Sequence, residues 1–361
     1  MLNRYRKQVY CTPPFILVGV PPPQDDNRPH TAIVGAGIAG CSLAYLLSRA
    51  GARVSLLEAE TVGAGASGVP VALLNPHRGR TARASELDKA GLRTTRSLVD
   101  MMEGEGVDTG ARFTGVLRIA SNAKQVKKWR RLGSARWLEP ARVPAPYHAP
   151  FGALLVEGGW LYPRRFLGAL VSGASARGTR LREHCRVKTM MPTPEGWRLV
   201  TTDGDLTADK VVLCVGASEE LKAALGMDWG LERLAGDVIG MNAPLPLPYP
   251  IAGAIYGAQR GGRVYMGGNH RPAGTSDPDA AERLRASSGW FVKALKDAEI
   301  TSVWTGVRAK RADNQPLVQE LRPGLWHYGA LAGRGFLCAA HLSANLTAQL
   351  LGSGAGGSIP R

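Results

Sequence analysis

The sequence predicts an α/β fold: a Rossmann-like dinucleotide-binding domain interrupted by a mixed or antiparallel β-sheet domain. Three observations predict it. Residues 31–58, TAIVGAGIAGCSLAYLLSRAGARVSLLE, read as a strand, a glycine turn, a helix and a second strand that closes on an acid. From residue 226 to 303 the pattern changes to short strands and prolines, where a simple dehydrogenase would show further consecutive βαβ units. A last strand, a glycine-containing loop and an apolar helix then occupy residues 325–351, so the dinucleotide half is split along the chain.

Gly35, Gly37 and Gly40 supply G-x-G-x-x-G spacing, with glycines for the tight turn, the close approach to a pyrophosphate and the packing of helix on strand. The helix that follows aims its free N–H groups at phosphate. Glu58 lies 18 residues past the last glycine, where an acid can accept hydrogen bonds from a ribose diol. Residues 84–103 have helical composition, and 114–120 alternate like a strand. Proline-rich 139–150 breaks regular structure before 153–156 resumes it. Residues 161–176 read as a helix with Pro163 in its first turn. Strands are expected near 186–190, 197–202 and 210–214, with a hairpin turn at Asp203-Gly204-Asp205 between the second and third. Gly216 ends the last of these beneath a ligand. Further strands at 237–241, 254–259 and 263–267 precede a helix over 279–296.

The implied division is 31–83, 155–225 and 304–351 for the dinucleotide domain, and 84–154 with 226–303 for the substrate domain. Residues 1–30 form a soluble lead-in and 352–361 a loose tail. The early apolar run Phe15–Val20 is too short for an export signal, and no stretch reaches the roughly 18–20 residues needed to cross a bilayer.

Hydrophobic content of 44% and charged content of 20% over 361 residues describe a globular chain rather than a disordered or fibrous one. Cysteines 11, 41, 185, 214 and 338 show no C-x-x-C pairing, so no metal site is expected and a reducing, cytoplasmic setting is the simplest. Cys41 and Cys214 sit in apolar contexts and read as small buried hydrophobes. A net charge of +16 would attract nucleic acid, anionic membrane or acidic small molecules, or it describes a diffuse basic surface with no dedicated partner. Basic clusters occur at 124–131 (KQVKKWRR), 177–186 and 308–311. Trp129, inside the first, is either a base-stacking platform or a core residue; the second is the commoner fate of a tryptophan on an amphipathic helix.

The segmentation favours a flavoprotein, and later motifs narrow it. Trp304-Thr-Gly-Val-Arg308, continuing to Asp313 and Pro316, and Arg334-Gly335 before the last helix resemble the D-amino-acid-oxidase superfamily of FAD-dependent oxidoreductases over residues 31–351. Gly65-Ala-Ser-Gly68 and Gly158-Gly-Trp-Leu161 with Pro163 are most similar to the FAD domain of bifunctional enzymes that modify the wobble uridine of tRNA. Ala330 and Ala332 stand where the closing loop of the superfamily usually carries glycines.

The resemblance implies noncovalent FAD and oxidation of a C–N bond beside a carboxylate, with hydride passing to flavin and the imine then hydrolysing. Arg308 matches the arginine that grips the substrate carboxylate, a task suited to a planar fork. Backbone N–H groups of Gly333, Arg334, Gly335 and Phe336 would stabilise charge on reduced flavin. The Arg334 side chain either adds charge there or packs outward. Ser67 and Gly68 would meet the pyrophosphate or the flavin edge, and Val187 the adenine. His270 is the histidine placed to take the amine proton, or else a hydrogen-bonded loop residue. The implied substrate is a carboxymethylaminomethyl group on tRNA uridine, or a small amine or amino acid such as glycine, sarcosine or a D-amino acid. A non-catalytic flavin- or RNA-binding protein is a third reading.

Overall fold

The computed structural model describes residues 28–133, 135–243 and 245–352. Most of the lead-in, including Phe15–Val20 and Cys11, and all but the first residue of the tail lie outside them. The first strand, His30–Val34, is buried along its whole length. It runs parallel between Arg53–Leu57 and Lys210–Leu213. Arg180–Arg182 and Leu325–Gly329 extend that sheet in parallel, and Leu317–Arg322 closes one edge antiparallel. A parallel sheet covered on both faces selects continuous apolar runs, which is why these strands do not alternate.

The fingerprint helix Ile38–Arg49 packs against the last helix, Gly335–Leu350, which also meets helix Glu86–Gly104. Ser85 starts that third helix by accepting the Asp88 N–H at 3.1 Å, with Glu86 and Asp88 in its first turn where acids favour the helix dipole. Helix Pro163–Ser175 begins at its proline. Together these helices bury Leu43, Leu47, Leu98, Phe166 and Leu346 in one core.

The second domain is built on a nine-stranded mixed sheet. Its longest members, Glu232–Asn242 and Ile300–Lys310, pair antiparallel along nearly their full length, with Leu234 opposite Arg308. A dinucleotide piece beginning at 304 would put Arg308 in that domain. The structure instead keeps Arg308 inside a continuous strand of the substrate sheet. The long partner strand holds residues 304–310 there before the chain crosses over.

Two other expectations change. The turn at Asp203-Gly204 does form, but it leads to an extra strand, Leu206–Ala208, in a meander with Val187–Thr193 and Gly196–Thr201. Lys210–Leu213 leaves that meander for the parallel sheet, because the Asp209 carboxylate accepts the His30 N–H at 2.6 Å and pins the crossover. The helix expected over 279–296 stops at Phe291. Buried Val292 turns extended, and a single 3₁₀ turn, Lys293–Leu295, follows.

Trp129 is core, only 1% exposed. The four described cysteines are free and buried. No helix among the described residues is long and apolar enough to cross a membrane.

Candidate active site

At the dinucleotide end, the glycine turn has the conformations its residues permit. Gly35 takes φ +104°, and a side chain there would lie 2.5 Å from the Cys214 carbonyl oxygen on the neighbouring strand. A side chain on Gly40 would collide with the Gly35 carbonyl, so the helix crosses its own turn only because position 40 is bare. Gly37 precedes the helix with no side-chain cap of its own. Glu58 accepts the Ala36 N–H at 2.7 Å and the Glu60 N–H at 3.0 Å, which fixes its carboxylate at the turn while leaving lone pairs for a diol.

Ser67 Oγ accepts the Ile38 N–H at 3.0 Å, so the second glycine loop touches the helix N-terminus at which phosphate would bind. Gly68 packs 2.5 Å, measured from a would-be side chain, from the Gly63 carbonyl oxygen. Cys185 donates its N–H to the Glu58 carbonyl at 2.8 Å, which brings buried Val187 close behind the acid. Gly216, at φ +57°, borders a shallow recess with Ser218, Trp229 and Arg233. A helix start with a side-chain-free glycine cap, an acid fixed at its turn and a second loop against it fit the AMP and pyrophosphate half of FAD.

At the other end, the loop before the last helix turns through Ala330 (φ 55°) and Ala332 (φ 49°). Left-handed alanine costs about 1–2 kcal/mol per residue, so the loop keeps the conformation of a glycine loop without its glycines. Gly335 would-be side-chain space is 3.0 Å from the Ile38 methyl, which ties this loop to the fingerprint helix. Phe336 turns into the core, its ring 6.4 Å from Phe166, leaving only its backbone for a ligand. The Arg334 side chain is buried. It donates to the Asn314 carbonyl and lies 4.0 Å from Asp88, so it does not pack outward. Its own N–H donates to the Leu331 carbonyl at 2.9 Å. Arg334 therefore helps to close the loop, with Asn314 and Asp88 as its side-chain partners.

Arg308 stands beside this loop. Its Nη1 and the Nη2 of Arg78 both lie within 3.6 Å of the point where a Gly333 side chain would begin. Burial and the charges of Arg334 and Arg308 push the Arg78 guanidinium below its ordinary value, against the pull of Asp88. Burial also raises the phenol of Tyr256, which lies in the field of Arg308 and stays neutral. Gly306 explains the W-x-G motif: the Trp304 ring folds over it and occupies the space a side chain would need.

Arg308 Nη2 donates to His270 Nδ1 at 2.6 Å. Arginine can only donate, so Nδ1 is the acceptor and the ring proton sits on Nε2. In this arrangement the one lone pair of the neutral His270 ring is engaged by Arg308. His270 and Arg308 are thus brought together at one site. The segment carrying it is fixed by buried Asp237, which accepts from Asn269 (2.6 Å), Thr305 (2.7 Å) and Arg271 (3.1 Å). Burial would raise the Asp237 carboxyl, but these bonds outweigh it and hold the group below the usual range.

Partial burial and then the Arg308 charge lower the His270 imidazole from 6.5. A lowered value means that the neutral ring's contribution is complete above pH 6.5 and is lost as pH falls through the depressed value. We expect the substrate KM to rise on that acid limb in the wild type, and the extra rise to vanish in His270→Asn, read by rapid-mixing reduction across pH. Identical limbs in the two proteins would remove His270 from the clamp.

Arg78 and Tyr256 were not singled out from sequence. Nothing local marks them; only the tertiary approach to Gly333 and Arg308 does. Arg78 is brought in by the loop 75–83, whose backbone is held from outside. Buried Arg118 donates to the His77 carbonyl and, at 2.7 Å, to the Gly79 carbonyl, while Trp129 Nε1 donates to the Arg80 carbonyl at 3.1 Å.

A glycine turn built for a dinucleotide on the parallel sheet, with Arg308 brought in on a strand of the mixed sheet, is the arrangement expected of an FAD-dependent oxidoreductase. The chain belongs to one family of them: residues 30–350 match DAO, FAD dependent oxidoreductase. Among its relatives, the tRNA 5-methylaminomethyl-2-thiouridine biosynthesis bifunctional protein MnmC of Nitrosospira multiformis is 30% identical, over 91% of this chain and 58% of that protein. Glycine oxidase of Geobacillus kaustophilus is 26% identical over 81% of this chain and 85% of that protein. The crystal structure of that glycine oxidase superposes with a TM-score of 0.80 at 23% identity, covering 92% of this chain and 96% of the other. The MnmC of Ralstonia nicotianae, 26% identical, is matched over 49% of its length. The chain thus spans about half the length of its bifunctional relatives.

Proposed function

We propose that this chain oxidises the C–N bond of an N-carboxymethyl amine, and that its substrate is the carboxymethylaminomethyl group of a tRNA wobble uridine. The observation that carries the reading is the placement of Arg308, with Arg78 beside it, against Gly333 at the start of the last helix. FAD, when bound, accepts the hydride lost from the carbon beside the amine. Arg308 binds the carboxylate and so orients that carbon. His270 holds the fork in place, and the Tyr256 phenol is available as a neutral donor.

Two guanidinium groups at the site disfavour the ammonium form of the substrate and favour its neutral amine. This removes the need for a side-chain base, in keeping with the engagement of the His270 Nδ1 by Arg308. Loss of hydride from carbon and of a proton from nitrogen leaves an imine; water adds to it, and the C–N bond opens to a free amine and an oxo-acid.

The MnmC relatives and the net charge of +16 support the RNA-borne substrate. A second reading, a small amino acid such as glycine or sarcosine, is supported by the glycine oxidase relative, of which the match covers 85%. Anaerobic titration of the purified flavoprotein separates them. Bleaching of the flavin absorbance by hypomodified tRNA and not by glycine, sarcosine or D-alanine is the expected result. Bleaching by the free amino acids alone would replace the first reading with the second, and no bleaching by any of them would overturn both.

A further inference from the structure

The helix Ala123–Trp129 carries an exposed basic face that no acid among the described residues answers. Lys124, Lys127 and Lys128, with Arg131 in the turn that follows, are exposed and fall at i, i+3, i+4 and i+7, one side of a helix. Among the described residues, none of the four has a carboxylate partner within 4 Å. Arg130, between them in sequence, is neutralised by Glu139 at 2.6 Å. Like charges at these spacings destabilise a helix by a few tenths of a kcal/mol per pair. Here the opposite side offsets that cost, because Trp129 is buried and bonded to the Arg80 carbonyl. Arg80 and Arg83 extend the exposed charge along the loop whose Arg78 enters the active site.

We propose that this face, with Arg80 and Arg83, docks the phosphate backbone of a structured RNA and leads it to the active site. The proposal rests on the tRNA reading above and names its surface. Four cations over about 10 Å of helix axis exceed what one small anion can engage. They suit a run of phosphates, each neutralised contact contributing to affinity through counterion release. A bilayer is a poorer fit. A helix lying in a membrane interface needs an apolar face to bury, and here the one aromatic is already spent inside the core.

The test compares the wild-type holoprotein with the K124E/K127E/K128E/R131E variant, using hypomodified tRNA at 50 and 200 mM salt. Six phosphate contacts, four from the helix face and two from Arg80 and Arg83, imply a wild-type affinity that falls roughly 1,000-fold between those salts. The variant is expected to bind at least about tenfold more weakly at low salt with a shallower salt slope, at unchanged flavin content. The K124Q/K127Q/K128Q/R131Q variant, which relieves the repulsion instead of reversing it, gives the same direction should the first fold poorly. Equal binding and slope in wild type and variants would overturn the surface. So would wild-type binding to phosphatidylserine vesicles without binding to tRNA. If tRNA bleaches the flavin equally well in all three proteins, the surface fails and the substrate reading stands. If tRNA binds through this face but bleaches nothing, the surface stands and the substrate reading fails.

Discussion

Arg308→Ala is expected to abolish practical reduction by substrate while leaving FAD bound. Arg308 is the one arginine of the site that is both half-buried on a rigid strand and supported by a neighbour, His270 at 2.6 Å. Truncating one member of a desolvated, charge-assisted pair costs about 2–5 kcal/mol, or roughly 30- to 5,000-fold in kcat/KM. The loss should fall mainly on substrate binding, because the strand around it remains paired with Glu232–Asn242. Stopped-flow reduction, with the flavin absorbance as a control for cofactor content, measures it. Reduction kinetics equal to wild type would remove the carboxylate clamp. Arg308→Lys should recover only part of the activity, since an ammonium keeps the charge but not the two-pronged geometry.

Gly40→Ala is expected to act at the other end of the cofactor, with the opposite signature. One methyl at this position collides with the Gly35 carbonyl, which belongs to backbone and not to a flexible side chain. Either the fingerprint helix moves off its strand or the turn changes shape. Overpacking of a tight site costs about 1–3 kcal/mol and occasionally more. Because the first turn of this helix is where the pyrophosphate would be held, the protein should purify largely without flavin and melt at a lower temperature. The ratio of flavin to protein absorbance and a melting curve with and without added FAD check this. Full flavin content in Gly40→Ala would contradict the packing described here.

The glycine turn was legible in the sequence because its requirement is a backbone one. Only glycine satisfies φ +104° at Gly35 and the bare crossing at Gly40, so residue type and spacing carry the information directly. Arg308 was legible through the Trp304-Thr-Gly-Val-Arg308 motif, in which Gly306 makes room for the tryptophan ring. The domain change at 304 was misplaced because a strand's sheet is decided by its partner, here nearly seventy residues earlier in the chain. The direction of the Arg334 side chain was left open in the sequence for a related reason. Its inward turn depends on Asp88, on a distant helix, and on the Asn314 carbonyl. Arg78 is one basic residue among 45, and its importance exists only once the chain has folded.

The support of loop 75–83 has a consequence for how this enzyme could change its substrate. The loop follows its path because Arg118 and Trp129, from elsewhere in the chain, grip its carbonyls at 77, 79 and 80. Carbonyls are common to every residue type, so the grip is indifferent to which side chains the loop carries. Position 78 can therefore exchange its charge, size or polarity while the backbone that presents it stays in place. Selection, or a designer, has one adjustable position facing the reacting end of the site on a mount that does not have to be rebuilt each time.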